Sequence, residues 1–180
     1  MTNISRLLVL SLILCSLPFH CQAPLNHEAI QQSPKDFVQQ FYGWYLPLAL
    51  KGTEEPAQNL ALREKSGNFS KEVYEALKED SDAQAKADGE IVGLDFDPFL
   101  ATQDPCEHYV LGKATGDGER YEIPIFAVCS GKQSKRPDVV AQVERREGSW
   151  VFINFYYPKV GGDLLSILKR LRKDPLPQGR

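Results

Sequence analysis

The sequence predicts an α+β fold in which N-terminal helices pack on a curved antiparallel sheet of four or more strands, followed by a C-terminal helix. Apolar residues recur at helical spacing in the first half of the chain and near its end, whereas between residues 107 and 157 the apolar period changes to two. The strand-like segments also follow one another with short turns. That order is typical of an antiparallel meander rather than of a parallel sheet.

The first 23 residues have the layout of a secretory signal peptide. A basic residue precedes the nearly continuous apolar run at residues 7–17, and Ala23 supplies a small residue at the cleavage point. The run is too short for a comfortable membrane span, and the residues before Cys15 and Cys21 do not suit lipoprotein processing. We therefore expect a periplasmic or secreted protein, with an uncleaved membrane anchor or a lipid anchor less favoured.

The rest of the chain suits one domain, which we place at residues 33–173, between a flexible leader at 24–32 and a tail at 174–180. The formal net charge of −3 at pH 7 argues against a nucleic-acid partner, because binding nucleic acid requires a basic face. No further apolar run approaches membrane-spanning length, so we expect no span after signal cleavage. No motif requires a cofactor, and we expect none.

Start and stop signals mark two helices in the first half of this domain. Ser33 is the predicted N-cap of the first helix, with Pro34 at the first helical position, and Gly52 is predicted to end this helix. Ser70 begins a second helix, which we expect to end near Gly89.

One face of the first helix carries an aromatic stripe at helical spacing. Such a stripe is usually part of the core. It could instead form one wall of a cavity between helix and sheet, which would make the protein a carrier of a small apolar ligand. The candidate ligand-binding residues for that alternative are Phe37, Phe41, Trp44, Tyr45 and Asp95.

The second half of the domain reads as four strands joined by short connections. They are residues 109–114, 121–128, 139–145 and 150–156. Asp163 then caps a C-terminal helix that has an apolar face and a cluster of basic residues at its end. We expect this helix to dock on the domain, with its terminal cations suited to the helix dipole, rather than to lie on an anionic membrane.

The first predicted hairpin suggests a disulfide. Asp117 and Gly118 form the dipeptide signal for a two-residue type I′ turn, in which Gly116 would pair with the residue at position 119. Continued outward in the same register, Cys106 faces Cys129 at the open end of the hairpin. An even number of cysteines in an oxidising compartment also favours a bridge. We therefore predict a disulfide between these two residues.

The segment GLDFDPFLATQDPCEHYV at residues 93–110 concentrates acidic side chains with a histidine and a cysteine. On a strand, Asp95 and Asp97 would share a face and could bind a hard cation, but the spacing matches neither calcium loops nor zinc sites. A structural role explains more of its residues. Asp97 reads as an N-cap before Pro98, opening one helical turn that reaches Ala101. We predict no metal site here.

Three runs, SPKDFVQQFYGWYL, GEIVGLDFDPFLATQDP and GSWVFINFYYP, together resemble the bacterial secreted domain-of-unknown-function family numbered 3828. The resemblance covers roughly residues 33–171, and LDFDPFLATQD is its most specific part. It implies a cystatin-like cone of the nuclear-transport-factor-2 superfamily, with N-terminal helices across a curved antiparallel sheet, and a location in the cell envelope. It implies no activity, because none is assigned to the family and a fold alone does not give a function.

The favoured function is a non-catalytic module that binds another envelope protein. The sequence has no nucleophile–base motif, phosphate-binding loop or metal-ligand spacing. Tyr156 and Tyr157, at the end of the last predicted strand, are the candidate interface residues. Pairing of two copies through the exposed sheet face is a further possibility for the same surface.

Two other classes of function stay open. The alternative is the small-ligand carrier described above. The least favoured is an enzyme, in which Asp95 and His108 would be the acid–base pair and Tyr42 a donor to an oxyanion. We assign no catalytic residue from the sequence.

Overall fold

Four α-helices pack on one face of an antiparallel sheet in the computed structural model, which describes residues 32–52, 54–87 and 92–173. This arrangement confirms the predicted fold class, including the helix at the C-terminus. The predicted signal peptide, most of the leader and the tail lie outside the described residues. None of the helices in the described ranges is long and apolar enough to cross a membrane.

The helices begin and end where short local signals place them. Their bounds are Pro34–Lys51 (α1), Ala57–Glu64 (α2), Lys71–Ala85 (α3) and Leu164–Lys173 (α4). The hydroxyl of Ser33 accepts a hydrogen bond from the N–H of Asp36 at 3.1 Å, and Ser70 accepts one from Val73 at 3.3 Å. Gly52 ends α1 with a φ of 62°, in the left-handed region. Both predicted N-caps are therefore confirmed, although α3 ends earlier than expected.

Helix α2 was not predicted from the sequence. It has eight residues, its N-cap is Pro56, and no side chain caps its first turn. Among its residues only Ala61 and Leu62 are buried. The two signals on which a prediction depends, a polar N-cap and a repeating apolar stripe, are therefore both weak in this helix.

Every strand pairing in the sheet is antiparallel. The strands are His108–Leu111 (β1), Thr115–Gly116 (β2), Arg120–Cys129 (β3), Lys132–Gln133 (β4), Val139–Arg146 (β5), Ser149–Tyr157 (β6) and Gly162–Asp163 (β7). The order across the sheet is β1-β3-β5-β6-β7, and the short strands β2 and β4 also pair with β3. Neighbours in sequence are therefore mostly neighbours in the sheet, as expected for a meander.

The predicted turn at Asp117-Gly118 is wrong in type. Gly116 pairs with Tyr121, so the loop is longer than two residues. The cause is the side chain of Asp117, which accepts hydrogen bonds from the N–H groups of Glu119 (3.2 Å) and Arg120 (3.0 Å). An aspartate that binds the backbone ahead of it favours a wider turn over the tight type I′ turn.

Tight two-residue turns occur instead at the next two hairpins. Ser130 and Gly131 join β3 to β4, and Glu147 and Gly148 join β5 to β6. All four residues have positive φ, between 50° and 84°. Positive φ at both central positions is the backbone pattern that type I′ turns require.

The disulfide between Cys106 and Cys129 is confirmed, although the register that predicted it is not. His108 pairs with Val128, which places the strands one residue away from the expected alignment. The two cysteines are then offset rather than opposite, and their Cα atoms are 4.9 Å apart. That separation lies within the range that a disulfide spans.

Alternating residues of the strands divide into a core face and an outer face. In β3, Ile123, Ile125 and Ala127 are buried, whereas the residues between them are half-buried on the other side. The buried set continues through Ala141 of β5, which pairs with Phe155 of β6. Helices α1, α3 and α4 contact the sheet from this core side, and α2 packs on α1 and α3.

We predict that the disulfide stabilises the fold by constraining the unfolded chain. Replacing Cys106 and Cys129 by alanine should lower the free energy of unfolding by about 3 kcal/mol, because the bridge closes a loop of moderate length. Urea titration of the native and doubly substituted proteins, followed by circular dichroism, measures this difference. Two reactive thiols in the unsubstituted protein, when it is denatured without a reducing agent, would contradict the bridge itself.

Candidate functional site

A single helical turn begins at Asp97. The Asp97 carboxylate accepts hydrogen bonds from the N–H groups of Phe99 (2.8 Å) and Leu100 (3.1 Å). Its carbonyl accepts from the N–H of Ala101 at 2.8 Å, and its own N–H donates to the carbonyl of Thr102 at 2.9 Å. The turn ends at Ala101, whose φ of 55° lies in the left-handed region. This geometry confirms the predicted N-cap and short turn.

Two tyrosines bind the turn from opposite parts of the chain. Tyr42 of α1 donates to the carbonyl of Phe99 at 2.6 Å, and Tyr157 at the end of β6 donates to the carbonyl of Pro98 at 2.8 Å. Both hydrogen bonds are buried. They supply partners for two carbonyls that would otherwise be buried without a donor, which costs about 1–3 kcal/mol each.

The charged group among these buried side chains is the carboxylate of Asp97, which is bound by a third tyrosine, Tyr45. The hydroxyl of Tyr45 donates to the Asp97 carboxylate. Burial raises the pKa of Asp97 to about 6, while the hydrogen bonds from Tyr45 and the backbone of the turn act to lower it. Burial, and then the nearby Asp97 charge, raise the pKa values of Tyr42, Tyr45 and Tyr157. The three tyrosines are therefore neutral donors at neutral pH.

The predicted aromatic stripe lies in the core. The rings of Phe37, Phe41 and Tyr45 are buried, and the centroid of Phe41 is 5.2 Å from that of Phe99. Trp44, on the side of the helix, is half-buried. A ligand could reach the three buried rings only if part of this core opened. Ligand binding by the stripe stays a prediction.

A cleft of about 410 Å³ opens next to the turn, between the end of α1, the start of α2 and the segment 94–105. Asp95 and Asp97 lie in its wall, with amide side chains such as Gln58 and Gln103. Asp95 is exposed, and its backbone carbonyl accepts a hydrogen bond from the Gln103 side chain at 2.6 Å. The cleft therefore includes Asp95 but is not lined by the four aromatic ligand candidates.

The three residues considered for acid–base chemistry, Asp95, His108 and Tyr42, are not hydrogen-bonded to one another. His108 is exposed on β1, where it pairs with Val128. The hydroxyl of Tyr42 is already bound to a carbonyl of the turn. Over the described ranges, no hydrogen bond joins His108, Asp95 and Tyr42, and no three His, Cys, Asp or Glu residues are grouped to hold a metal ion.

The outer face of the sheet carries a continuous group of apolar side chains, which we name the outer apolar patch. It consists of Val110, Pro124, Phe126, Val128, Val140 and Tyr156. Val110 pairs with Phe126, and Val140 pairs with both Pro124 and Tyr156, so neighbouring strands bring these side chains together. Val110 is 39% exposed and Tyr156 42% exposed, which is high for large apolar side chains on a sheet.

The other half of the outer face is charged and internally paired. Arg120 contacts Glu144 at 2.6 Å, and Glu144 also contacts Arg146 at 2.6 Å. In the next row, Gln142 donates to Glu122 at 2.9 Å. These side chains therefore satisfy one another, whereas the outer apolar patch has no described element packed on it.

The two predicted interface tyrosines point to opposite faces. Tyr156 lies in the outer apolar patch. Tyr157 is fully buried, with its hydroxyl bound to Pro98, so it cannot contact a partner on the surface. The interface prediction is corrected for Tyr157, because a strand residue next to an exposed one turns to the opposite side of the sheet.

Comparison with known proteins identifies no family. No protein-family model matches the sequence, and no curated protein matches it. Among solved structures, it is similar to a chain in the crystal structure of the type VI native effector–immunity complex Tae3–Tai3 from Ralstonia pickettii. The identity is 18%, the TM-score is 0.47, and the match covers 71% of this chain and 97% of the other. At this level, the similarity supports no argument about function.

Sequence reasoning did not find the outer apolar patch, although a signal was present. The run IPIFAV at residues 123–128 is apolar at every position, instead of alternating with polar residues. A strand with apolar residues at both parities has two apolar faces. Because the helices cover only one of them, the same run also predicts an uncovered apolar surface.

We predict that Asp97 makes the stability of the fold depend on pH. Its pKa is about 6 in the folded protein and about 4 in an unfolded chain, so the folded state holds the proton more tightly. Its contribution to stability is therefore complete below about pH 4 and is lost as the pH rises through 6.

Asp97→Asn removes this titration while it keeps an oxygen that accepts the backbone hydrogen bonds. Relative to the native protein, the variant should gain about 2 kcal/mol in the free energy of unfolding between about pH 4 and pH 7. Denaturant titrations of both proteins across this range measure the difference. Parallel pH profiles would contradict the raised pKa, since the other carboxylates contribute equally to both proteins.

We predict that removing the hydroxyl group lowers the stability of the fold at Tyr157 but not at the adjacent Tyr156. Tyr157→Phe leaves the buried carbonyl of Pro98 without its donor and should cost about 1–3 kcal/mol of stability. The matched control, Tyr156→Phe, removes a hydroxyl from an exposed side chain and should change stability by less than about 0.5 kcal/mol. Thermal and urea unfolding of the two variants test this, and equal stabilities would be inconsistent with the bond to Pro98.

Proposed function

We propose that this protein is a non-catalytic module of the cell envelope that binds another protein through the outer apolar patch. The observation that supports this function is the exposure of Val110 and Tyr156 beside four further apolar side chains on a sheet face. Continuous apolar surface on a folded domain is typical of sites where proteins associate. A partner that covers it would remove apolar area from water, which favours binding.

The aromatic character of the patch also suits a protein interface. Tyr156 offers a large apolar ring and a hydroxyl that can hydrogen-bond at the edge of a contact, and Phe126 lies two strands away on the same face. Aromatic residues are enriched among the side chains that contribute most to protein–protein affinity. The pairings of β3, β5 and β6 hold these side chains on one rigid sheet, so little ordering is needed on binding.

An envelope location agrees with the disulfide. Structural disulfides persist in oxidising compartments such as the periplasm and are rare in the cytosol. The bridge joins the segment before β1 to the end of β3, the two strands that carry Val110 and Phe126. Membership of the domain-of-unknown-function family 3828, which would imply the same location, stays a prediction, as does the signal peptide.

The ligand-carrier and enzyme alternatives have less support from the geometry. The cleft near Asp95 is open and mixed in polarity, and the aromatic residues assigned to a ligand wall are core residues. The carboxylate with a clearly raised pKa in that region, Asp97, is engaged by Tyr45 and by the backbone of its own turn. We therefore propose no substrate and no small ligand.

We predict that a photo-crosslinking amino acid placed at Tyr156 forms an adduct with a second protein in cells that produce this protein naturally. The same amino acid at Gln40, an exposed residue of α1 on the other side of the domain, is the control and should form no such adduct. Gel mobility and mass spectrometry of the purified adduct measure its size and identify the contact.

A second variant separates a real contact from chance proximity. Val110→Asp places a charge in the patch without touching the core, and it should lower the yield of the Tyr156 adduct by roughly tenfold, because burying an unpaired charge is costly. Circular dichroism checks that the variant stays folded. Equal yields from Tyr156 and Gln40, or an adduct with the mass of two copies of this chain, would contradict the proposed function.

A further inference from the structure

We propose that the partner presents acidic side chains next to apolar ones, so that its carboxylates bind a basic loop at one end of the outer apolar patch. This inference depends on the proposed function and specifies the chemistry of the partner. The loop, which we name the basic loop, is residues 130–138 between β3 and β5. Its cationic side chains are Lys132, Lys135 and Arg136.

The sheet places the basic loop directly beside the patch. The N–H of Ser134 donates to the carbonyl of Ala127, and the N–H of Asp138 donates to the carbonyl of Ile125, both at 2.8 Å. The loop therefore leaves and rejoins the edge of β3 on either side of Phe126, a patch residue. Lys135 and Arg136 lie in this bulge, at the backbone position opposite Phe126.

The tight turn into β4 carries the third cation, Lys132, on the other side of the sheet. Val128 of the patch pairs with Gln133, and Cys129 pairs with Lys132. Lys132 therefore shares a face with Cys129 and points away from the patch, whereas Gln133 shares the face of Val128. All three cations are exposed, and none of them forms an ion pair with the residues that the structure describes. The charges of Lys135 and Arg136, in the bulge beside Phe126, therefore remain available to a partner that covers the patch.

The acidic residues near the loop are already engaged. The Glu107 carboxylate accepts a hydrogen bond from the N–H of Ser130 at 3.0 Å. Asp138 accepts from the N–H of Ala127 at 2.8 Å and contacts Lys159 at 2.5 Å. Intramolecular pairing therefore neutralises Lys159 but not the three loop cations. Glu107 keeps its charge, because a backbone N–H does not neutralise it, but the three cations outnumber it, and the net positive field favours a partner with negative charge.

The distribution of charge favours a protein over an anionic membrane. The unpaired cations stand at one end of the outer face, whereas at the other end Glu122 and Glu144 lie together with Arg120 and Arg146, so that the charges there cancel. A flat anionic membrane that covered the apolar patch would therefore be attracted at one end of the face only. A protein surface can place its acidic residues only opposite the basic loop, which fixes its orientation on the sheet.

The test combines charge reversal with the Tyr156 crosslink. One variant carries Lys135→Glu and Arg136→Glu, the two cations of the bulge beside Phe126. The matched control carries the same change in charge on α4, as Lys169→Glu and Arg170→Glu. We expect the loop variant to form the adduct with roughly tenfold lower yield and the α4 variant to match the native protein. Added salt should lower the native yield, because exposed charges are screened.

The identity of the contact gives a second readout. Mass spectrometry of the crosslinked peptide should find aspartate or glutamate close to apolar residues in the partner. An adduct that forms equally well in both double variants would overturn the acidic partner and leave the proposed function intact. The absence of any adduct from the native protein would instead remove the proposed function.

Two further results would overturn the inference in favour of another occupant. An adduct with the mass of two copies of this chain would identify the occupant as a second copy. Binding of the native protein to vesicles of phosphatidylglycerol and phosphatidylethanolamine, with loss of binding in the loop variant, would identify an anionic membrane. Failure to bind such vesicles, together with a salt-sensitive adduct, supports the acidic protein.

Discussion

The helix side of the domain depends on the anchoring of the turn at Asp97. This turn carries Phe99 into the core, where its ring contacts those of Phe41 and Phe155. An irregular segment can be buried only if its backbone polar groups find partners. Tyr42 and Tyr157 supply those partners, and each also contributes apolar area of its own. The same side chains thus bury the segment and remove the main penalty for burying it.

This anchoring also connects elements that the sheet does not connect. Tyr42 belongs to α1 and Tyr157 to the end of β6, and both reach the same turn. The turn therefore fixes the first helix relative to the last long strand. Asp97 adds a carboxylate whose raised pKa shows that its burial is only partly compensated. The turn at Asp97 accordingly has a structural role in the fold.

Much of the fold could be predicted from sequence where local chemistry determines it. Ser33 and Ser70 begin helices because a hydroxyl can bind the free N–H groups of the first turn. Helix α2 could not be predicted, because Pro56 offers no such side chain. The dipeptide Asp117-Gly118 predicts a tight turn, but a tight turn occurs at Glu147-Gly148 instead. The turn type at Asp117 depends on a hydrogen bond that its side chain accepts from the backbone, and the dipeptide alone does not reveal this bond.

The candidate site was harder to predict, because it depends on which side of the sheet is covered. The register of β5 and β6 shifts near Ile153, where a bulge changes the parity of the strand. Counting along β6 therefore cannot assign Tyr156 and Tyr157 to their faces. The basic loop was visible as a run of charged residues, but its position opposite Phe126 requires the backbone pairings of Ser134 and Asp138.

Alternation along β3 has a consequence for how this protein can evolve. Ile123 and Ile125 face the core, while Pro124 and Phe126, their immediate neighbours in sequence, face outward. Mutations in the first set are constrained by packing, and mutations in the second only by whatever the surface binds. A lineage could therefore acquire a new binding specificity through every second residue of one strand, while the inherited architecture stays unchanged.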